Sequence, residues 1–273
     1  MSEPNARLGA PSAAAAGAAC IASSATLVEL SGAGPITAAV FRCAYALPFL
    51  AALAWTERRG WPLLRTRPAV LAGVLFAVDL VCWHFAIAAL GADVSTVLVN
   101  LQVVLVVLLG VALVSGGGGR VSVAGVLWAL AAAAAYAGFL LALGEVSGDP
   151  ALSATPLAVA AGAAAVCTAL TGVLVRQVDF APHWSAHGWL AAVAVTGQVV
   201  GWLLISRSMP RLPPAVTSLT LLLQPVAAVL LAAVVLDGHP TAWQWAGCAL
   251  VLLGVRIAHR GTAARALVAR DRT

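Results

Sequence analysis

The sequence predicts an all-α protein, a polytopic bundle of membrane-spanning helices, and three observations support this fold class. Of the 273 residues, 62% are hydrophobic and 9% are charged, whereas a soluble globular chain carries about 25% charged residues. The mean hydropathy of the chain is +0.99. Apolar stretches of about 20 residues, the length that crosses a bilayer, follow one another along the chain. The connectors between them are too short to hold a soluble domain.

We predict nine transmembrane spans. They cover residues 12–31, 36–56, 68–90, 94–115, 121–143, 152–175, 187–206, 213–236 and 241–258. The first span is rich in alanine and ends in the turn sequence Ser31-Gly32-Ala33-Gly34-Pro35. We interpret it as a helix that leads into the second span; the alternative is a cleaved signal peptide. The second span ends at an arginine-rich connector, residues 57–67, and the fourth ends at four glycines, residues 116–119.

The arginines orient the chain, because cytoplasmic connectors of membrane proteins are rich in basic residues. Four arginines lie in the connector of residues 57–67, which we predict to be cytoplasmic together with the N-terminus. Nine crossings would place the C-terminal tail outside and divide the arginines evenly between the two sides. An even number would bring nearly all of them inside, but residues 115–150 are too short for two full crossings. Hydropathy therefore predicts nine spans, whereas the arginines favour an even number.

Two stretches of the chain repeat each other. Residues 95–104 match residues 217–226, so that Gln102 corresponds to Gln224. Matched polar positions in two halves are typical of transporters that are built from internal repeats and bind substrate where the repeats meet. The alternative is a chance similarity between two apolar helices.

A second correspondence lies upstream, where Asp79 and Trp83 match Gln198 and Trp202 with the same spacing of four. Each half thus places a polar residue one helical turn before a tryptophan. We predict three regions: a first repeat of four helices over residues 1–120, a second repeat of five helices over residues 121–258, and a basic tail over residues 259–273.

Three segments carry a family resemblance. They are Pro35 to Leu53 with the pair Phe41-Arg42, Val78 to Ile87, and Pro214 to Val255 with Leu223-Gln224-Pro225-Val226. Together they resemble helices of EamA-type members of the drug/metabolite transporter superfamily. The resemblance implies ten helices in two inverted five-helix repeats, both termini in the cytoplasm, and a central cavity for small metabolites.

The sequence also departs from the family pattern. Val103 stands where the family commonly has proline, and Asp237 stands where it usually has glutamate. Residues 125–143 resemble the family's sixth helix, so that no segment corresponds to the family's fifth helix. This loss would account for both the odd number of spans and the conflict with the arginines.

The polar residues inside the spans are the candidate site. Arg42 lies about 10 Å into the second span at 1.5 Å per residue, where a charge costs about 2.5–3.5 kcal/mol. It either pairs with Glu29 or contacts an anionic group of the substrate. Asp79 lies deep in a span and is a candidate for proton coupling. The candidate substrate-binding residues are Arg42, Asp79, Trp83, Asn100, Gln198, Trp202 and Gln224.

The two tryptophans in this set, Trp83 and Trp202, would form apolar walls of the cavity. Asn100 and Gln102 point about 200° apart on one helix, so that at most one of them faces the cavity. Amides of this kind also hydrogen-bond neighbouring helices in membrane bundles.

Other classes of function lack their residue patterns. The sequence contains no Gly-x-Ser-x-Gly elbow and no His-Glu-x-x-His motif, so we predict no enzyme and no cofactor. Its five cysteines form no Cys-x-x-Cys pair, which argues against a metal site. The arginines are explained by topology rather than by a nucleic-acid partner.

We therefore predict a multi-pass transporter of the inner membrane that moves small organic metabolites or drug-like amphiphiles by alternating access, as an exporter or an importer. Its expected partners are the small-molecule substrate and membrane lipid, and it would act as a monomer or a homodimer. The alternative is a non-transporting membrane scaffold, or a degenerate transporter that lost a helix.

Overall fold

The computed structural model describes residues 4–57, 66–90, 123–147, 152–212, 214–235, 240–242, 244–249 and 252–253. Helices account for nearly all of this part of the chain, which contains no strand. The predicted all-α class is therefore confirmed. Mean hydropathy and length make six of the described helices able to cross a membrane.

The first five of these are single α-helices. They are α1 (Pro4–Ser31), α2 (Pro35–Glu57), α3 (Thr66–Leu90), α4 (Val123–Val146) and α5 (Ala154–Leu174). The sixth, Trp184–Arg211, consists of four pieces. These are α6 (Trp184–Val193), a π-helical segment (Ala194–Gly201), α7 (Trp202–Ser208) and a short 3-10 turn (Met209–Arg211).

The six membrane-length helices coincide with the predicted spans 12–31, 36–56, 68–90, 121–143, 152–175 and 187–206. The predicted span 213–236 is broken into α8 (Pro214–Leu221) and α9 (Leu223–Val235). Residues 94–115 lie outside the described residues, and 241–258 is described only in part. The total of nine spans is not confirmed, and the division into two repeats stays a prediction.

Helices α3 and α4 run antiparallel. Near the end of α3 and the start of α4, the ring of Phe85 stacks on that of Trp128 with centroids 5.2 Å apart. Closer to the start of α3 and to the end of α4, Leu75 packs on Gly138. The last residue of α3 and the first of α4 therefore lie at the same end of the bundle. A chain that crossed the membrane once between them would place them at opposite ends.

The carboxylate of Glu57, at the end of α2, marks one end of the bundle, which we call the Glu57 end. It accepts hydrogen bonds from the backbone N–H of Ala154, at 3.0 and 2.9 Å to its two oxygens, and of Thr155 at 2.8 Å. The Thr155 hydroxyl donates a further bond at 3.0 Å. Beside this contact, Arg207 Nε at the end of α7 donates to Ser153 Oγ at 3.1 Å. The end of α2, the start of α5 and the end of α7 thus meet.

The opposite end is joined by the connector between α5 and α6. There the backbone N–H of Asp179 donates to Thr37 Oγ1 at 2.9 Å, next to the start of α2. We call this the Thr37 end.

Small residues let the helices approach closely. Carbonyl oxygens of α5 lie so near Gly73 of α3 that a Cβ there would be 2.3 Å from the oxygen of Ala160. Gly201 of the π-helical segment packs in the same way on Gly17 and Ile21 of α1. Helix contacts of this kind are common in membrane proteins, where van der Waals packing replaces the hydrophobic effect between helices.

Candidate functional site

The guanidinium group of Arg42 lies in the middle of the bundle. Its side chain is 2% exposed, and its Nε donates to Gln198 Oε1 at 3.2 Å. Its central carbon lies 5.7 Å from the ring centroid of Phe76 and 5.7 Å from that of Trp83. A cation over an aromatic face within about 6 Å is attracted to the ring electrons. The charge is therefore held by two rings and one amide.

Pairing of Arg42 with Glu29, one of the two interpretations from the sequence, is wrong. Glu29 lies in the last turn of α1 and is exposed, whereas Arg42 faces the interior. No ion pair joins the two side chains in the described part of the chain. Sequence position alone does not show that Glu29, near the end of α1, and Arg42, deeper in α2, face different directions.

The two candidates on α3, Asp79 and Trp83, are one helical turn apart and both buried. Asp79 is 5% exposed, and its Oδ1 has no hydrogen-bond partner. Buried polar atoms in folded proteins are nearly always paired, so that the unpaired carboxylate oxygen beside the cavity is free to accept a hydrogen bond from a ligand or water. Asp79 does not form an ion pair with Arg42 within the described residues.

The second half of the chain contributes Trp202 and Gln224. The indole of Trp202 is fully buried and meets the ring of Phe139 edge-on, with centroids 4.7 Å apart. Gln224 Nε2 donates to the hydroxyl of Tyr136 at 3.2 Å. Gln224 follows the break between α8 and α9 and precedes Pro225, which has no N–H to continue the helical hydrogen bonds. Broken helices beside a central site are common in transporters.

These side chains line a cavity of about 40 Å³ between the two halves of the chain. At 10–15 Å³ for each water molecule, it has room for about three waters. The described residues that line it are Ile21, Ala22, Arg42, Phe76, Asp79, Leu80, Trp83, Tyr136, Trp202 and Gln224.

The structure therefore brings six of the seven predicted site residues together. Five of them line the cavity: Arg42, Asp79, Trp83, Trp202 and Gln224. Gln198 joins the group through its hydrogen bond with Arg42 and does not line the cavity itself. Asn100 lies outside the described residues.

The sequence interpretation missed two aromatic residues of the cavity, Phe76 and Tyr136. Phe76 lies three residues before Asp79 and seven before Trp83, so that helical spacing places it on the same face. That signal was available. Tyr136 stands in an alanine-rich helix, where no pattern of polar residues indicates which side faces the interior.

The arrangement offers charged and aromatic groups that could bind a small molecule. One fixed cation and one carboxyl group face a space that is walled by aromatic rings, and no nucleophile stands beside a base among the lining residues. In the described part of the chain, no group of three or more His, Cys, Asp or Glu residues could hold a metal ion.

Comparisons with known proteins agree with this architecture. Residues 123–259 match the EamA-like transporter family. A solved structure described as "Crystal structure of protein" superposes with a TM-score of 0.70 over 92% of this chain and 97% of that chain. The two sequences are 18% identical, so that this likeness concerns the fold alone. None of the curated proteins matches the chain.

Proposed function

Because this chain belongs to the EamA-like transporter family, we propose that it carries a small organic molecule across the membrane by alternating access, with the cavity beside Arg42 as its substrate site. Family membership and the six apolar helices support a multi-pass membrane transporter, and a transporter rather than an enzyme. The substrate, the mechanism and the membrane are the parts that we propose.

One observation carries the proposal: the cavity is lined from both halves of the chain. Arg42, Asp79 and Trp83 come from α2 and α3, whereas Tyr136, Trp202 and Gln224 come from α4, α7 and α9. A molecule bound there touches helices of both halves. Relative movement of the helices on the two sides of the site would then expose it to one side of the membrane or the other.

The cavity volume of about 40 Å³ is small for a substrate site. Small-molecule pockets typically enclose several hundred Å³, so that the helices must separate before a metabolite enters. The same small volume favours a second candidate function, a scaffold or degenerate transporter whose cavity never opens. Transport measurements separate the two candidates.

The charges of the cavity suggest the class of substrate. Arg42 has N–H groups that make no hydrogen bond in the described part of the chain, and they suit a carboxylate. The unpaired Asp79 Oδ1 suits an ammonium group. The rings of Phe76, Trp83 and Tyr136 suit an apolar side chain. We propose a zwitterionic metabolite with an apolar side chain.

Three probes with one carbon skeleton test this proposal in proteoliposomes that contain the purified full chain. L-leucine carries both charges, leucinamide lacks the carboxylate, and 4-methylpentanoate lacks the amino group. We expect uptake of labelled leucine, with unlabelled leucine competing better than either analogue. Arg42→Gln should lower leucine uptake at least tenfold and should abolish the preference over leucinamide, because a hydrogen bond to a charged group is lost. Asp79→Asn should reduce the preference over 4-methylpentanoate.

Arg67→Gln is the matched control, since Arg67 is exposed near the start of α3. It should transport leucine like the wild type. Absence of leucine uptake by the wild type would contradict the zwitterion proposal. Absence of uptake for a broad metabolite panel as well would favour the scaffold.

Three finer points extend the proposal. Asp79 would couple transport to protons, which an imposed pH gradient across the liposomes tests by accelerating or slowing leucine uptake. The inner membrane is the location that we propose, and transport by right-side-out and inverted inner-membrane vesicles would distinguish an exporter from an importer. Size-exclusion chromatography with light scattering would distinguish a monomer from a homodimer.

A further inference from the structure

The helix that carries Gln198 changes its hydrogen-bonding pattern at that residue. Residues Ala194–Gly201 form a π-helical segment between α6 and α7. In such a segment each N–H bonds to the carbonyl five residues before it, and short π-helical insertions occur often at functional sites. The segment packs on both α1 and α2.

The segment meets α1 through glycines and α2 mainly through Gln198, although a Cβ on Gly197 would also lie 3.6 Å from Arg42 Nη2. On the side of α1, Gly197 lies against Ser24, where a Cβ would be 2.3 Å from the Ser24 hydroxyl oxygen, and Gly201 lies against Gly17. On the side of α2, Gln198 is 2% exposed and accepts the hydrogen bond from Arg42 Nε. The π-helical segment thus packs on α1 through its glycines and hydrogen-bonds to α2 through the side-chain amide of Gln198.

Three contacts surround the guanidinium group of Arg42. Gln198 holds the Nε–H edge, and the rings of Phe76 and Trp83 lie 5.7 Å from the central carbon. A guanidinium group has five N–H donors, of which Nε supplies one. The four donors on the two Nη atoms make no hydrogen bond in the part of the chain that the structure describes.

We propose that Gln198 is a positioning residue for Arg42: it binds Nε and so directs the two Nη groups toward the anionic group of the substrate. The inference deepens the proposed function and rests on it. Gln198 does not touch the substrate in this arrangement, because its oxygen is occupied by Arg42 and its side chain does not line the cavity. The π-helical segment is the local structure that brings the amide to Arg42 while the glycines stay against α1.

The test compares two glutamines, each changed to methionine, which keeps the length of the side chain and removes the amide. Gln198→Met removes the partner of Arg42, whereas Gln224→Met removes the partner of Tyr136. Inhibition of labelled leucine uptake by unlabelled leucine and by leucinamide gives two inhibition constants for each variant in proteoliposomes. Gln198→Met should lower the preference for leucine over leucinamide about tenfold, the smaller end of the range for a lost hydrogen bond to a charge. Gln224→Met should change both constants by the same factor.

A double variant separates positioning from direct contact. In the Arg42→Gln background, Gln198→Met should produce less than about a twofold further change, because Gln198 acts through Arg42. A loss as large as in the wild-type background would overturn the inference. The inference would also be overturned if Gln198→Met kept the wild-type preference for leucine over leucinamide.

Failure of the proposed function has a different signature. If Arg42→Gln leaves the preference for leucine unchanged, the proposed substrate site is wrong. If Arg42→Gln removes the preference and Gln198→Met does not, only the positioning role is wrong. Gln198→Leu, which also lacks a hydrogen-bonding group, must reproduce the result of Gln198→Met. It replaces that variant if size-exclusion chromatography shows Gln198→Met to be misfolded.

Discussion

Removal of the Glu57 carboxylate should destabilise the bundle at one end. The carboxylate accepts the N–H groups of Ala154 and Thr155, which open α5 and have no partner within that helix. It thus acts as a cap from a distant part of the chain, and its negative charge also faces the positive end of the α5 dipole.

The magnitude follows from these contacts. Loss of a helix cap costs about 0.5–2 kcal/mol, and loss of the charge at a helix N-terminus costs about 0.3–1 kcal/mol. Glu57 is partly exposed, so that we take about 2 kcal/mol for Glu57→Ala. Glu57→Gln keeps one acceptor oxygen and should cost about half of that. At about 2–4 °C for each kcal/mol in a chain of this size, the unfolding midpoint of Glu57→Ala should fall by about 4–8 °C.

Thermal unfolding of the purified variants in detergent measures the midpoint, and hydrogen exchange locates the change. Exchange should accelerate in the first turn of α5 and stay constant at the Thr37 end. Thr56→Ala is the control at the neighbouring position, because its hydroxyl bonds only to the carbonyl of Leu53 within the same helix. A midpoint of Glu57→Ala within 1 °C of the wild type would refute the reasoning.

Three further predictions follow from the packing. Reporters fused after residues 60 and 147 should lie on the same side of the membrane, because both positions adjoin the Glu57 end; opposite sides would contradict the antiparallel pairing of α3 and α4. Gly73→Ala should lower the unfolding midpoint by several degrees, since overpacking costs about 1–3 kcal/mol; Gly188→Ala, where a Cβ meets nothing within 4 Å, is its control. Tyr45→Phe should lower the free energy of unfolding by about 1 kcal/mol in the same assay, because the 2.6 Å hydrogen bond between its hydroxyl and His187 Nδ1 is lost. If the losses of Tyr45→Phe and His187→Phe add fully in the double variant, this hydrogen bond is not responsible.

Much of the fold could be predicted because a membrane demands long apolar helices, and their length alone locates them. Two signals in the sequence disagreed about the orientation of the second half of the chain in the membrane. Hydropathy placed the α4–α5 connector outside, whereas the arginines favoured an even number of crossings. The described helices agree with the arginines here, since the start of α5 lies beside Glu57 at the end of α2. The distribution of arginines indicates which side of the membrane a connector faces. Hydropathy indicates only the number of apolar segments, and each segment that it misses inverts the orientation of all later helices.

Much of the site could be predicted as well, because polar residues are rare inside membrane spans and helical spacing shows which of them share a face. Partners could not be predicted. Whether Arg42 meets Glu29 or Gln198 depends on how α2 is rotated against α1 and the π-helical segment, and this rotation is set by contacts between distant residues. The π-helical segment could not be predicted either, because it too depends on contacts between distant residues.

The contacts of α2 bear on which parts of the molecule move together. Along its length α2 is tied to the second half at four levels, by Thr37, Arg42, Tyr45 and Glu57. Its packing against α5 is also more extensive than its packing against α3. A hinge that separated residues 1–120 from 121–258 as rigid units would have to break all four ties at once. A movement that opens the cavity without breaking these bonds would therefore keep α2 together with the second-half helices that it contacts.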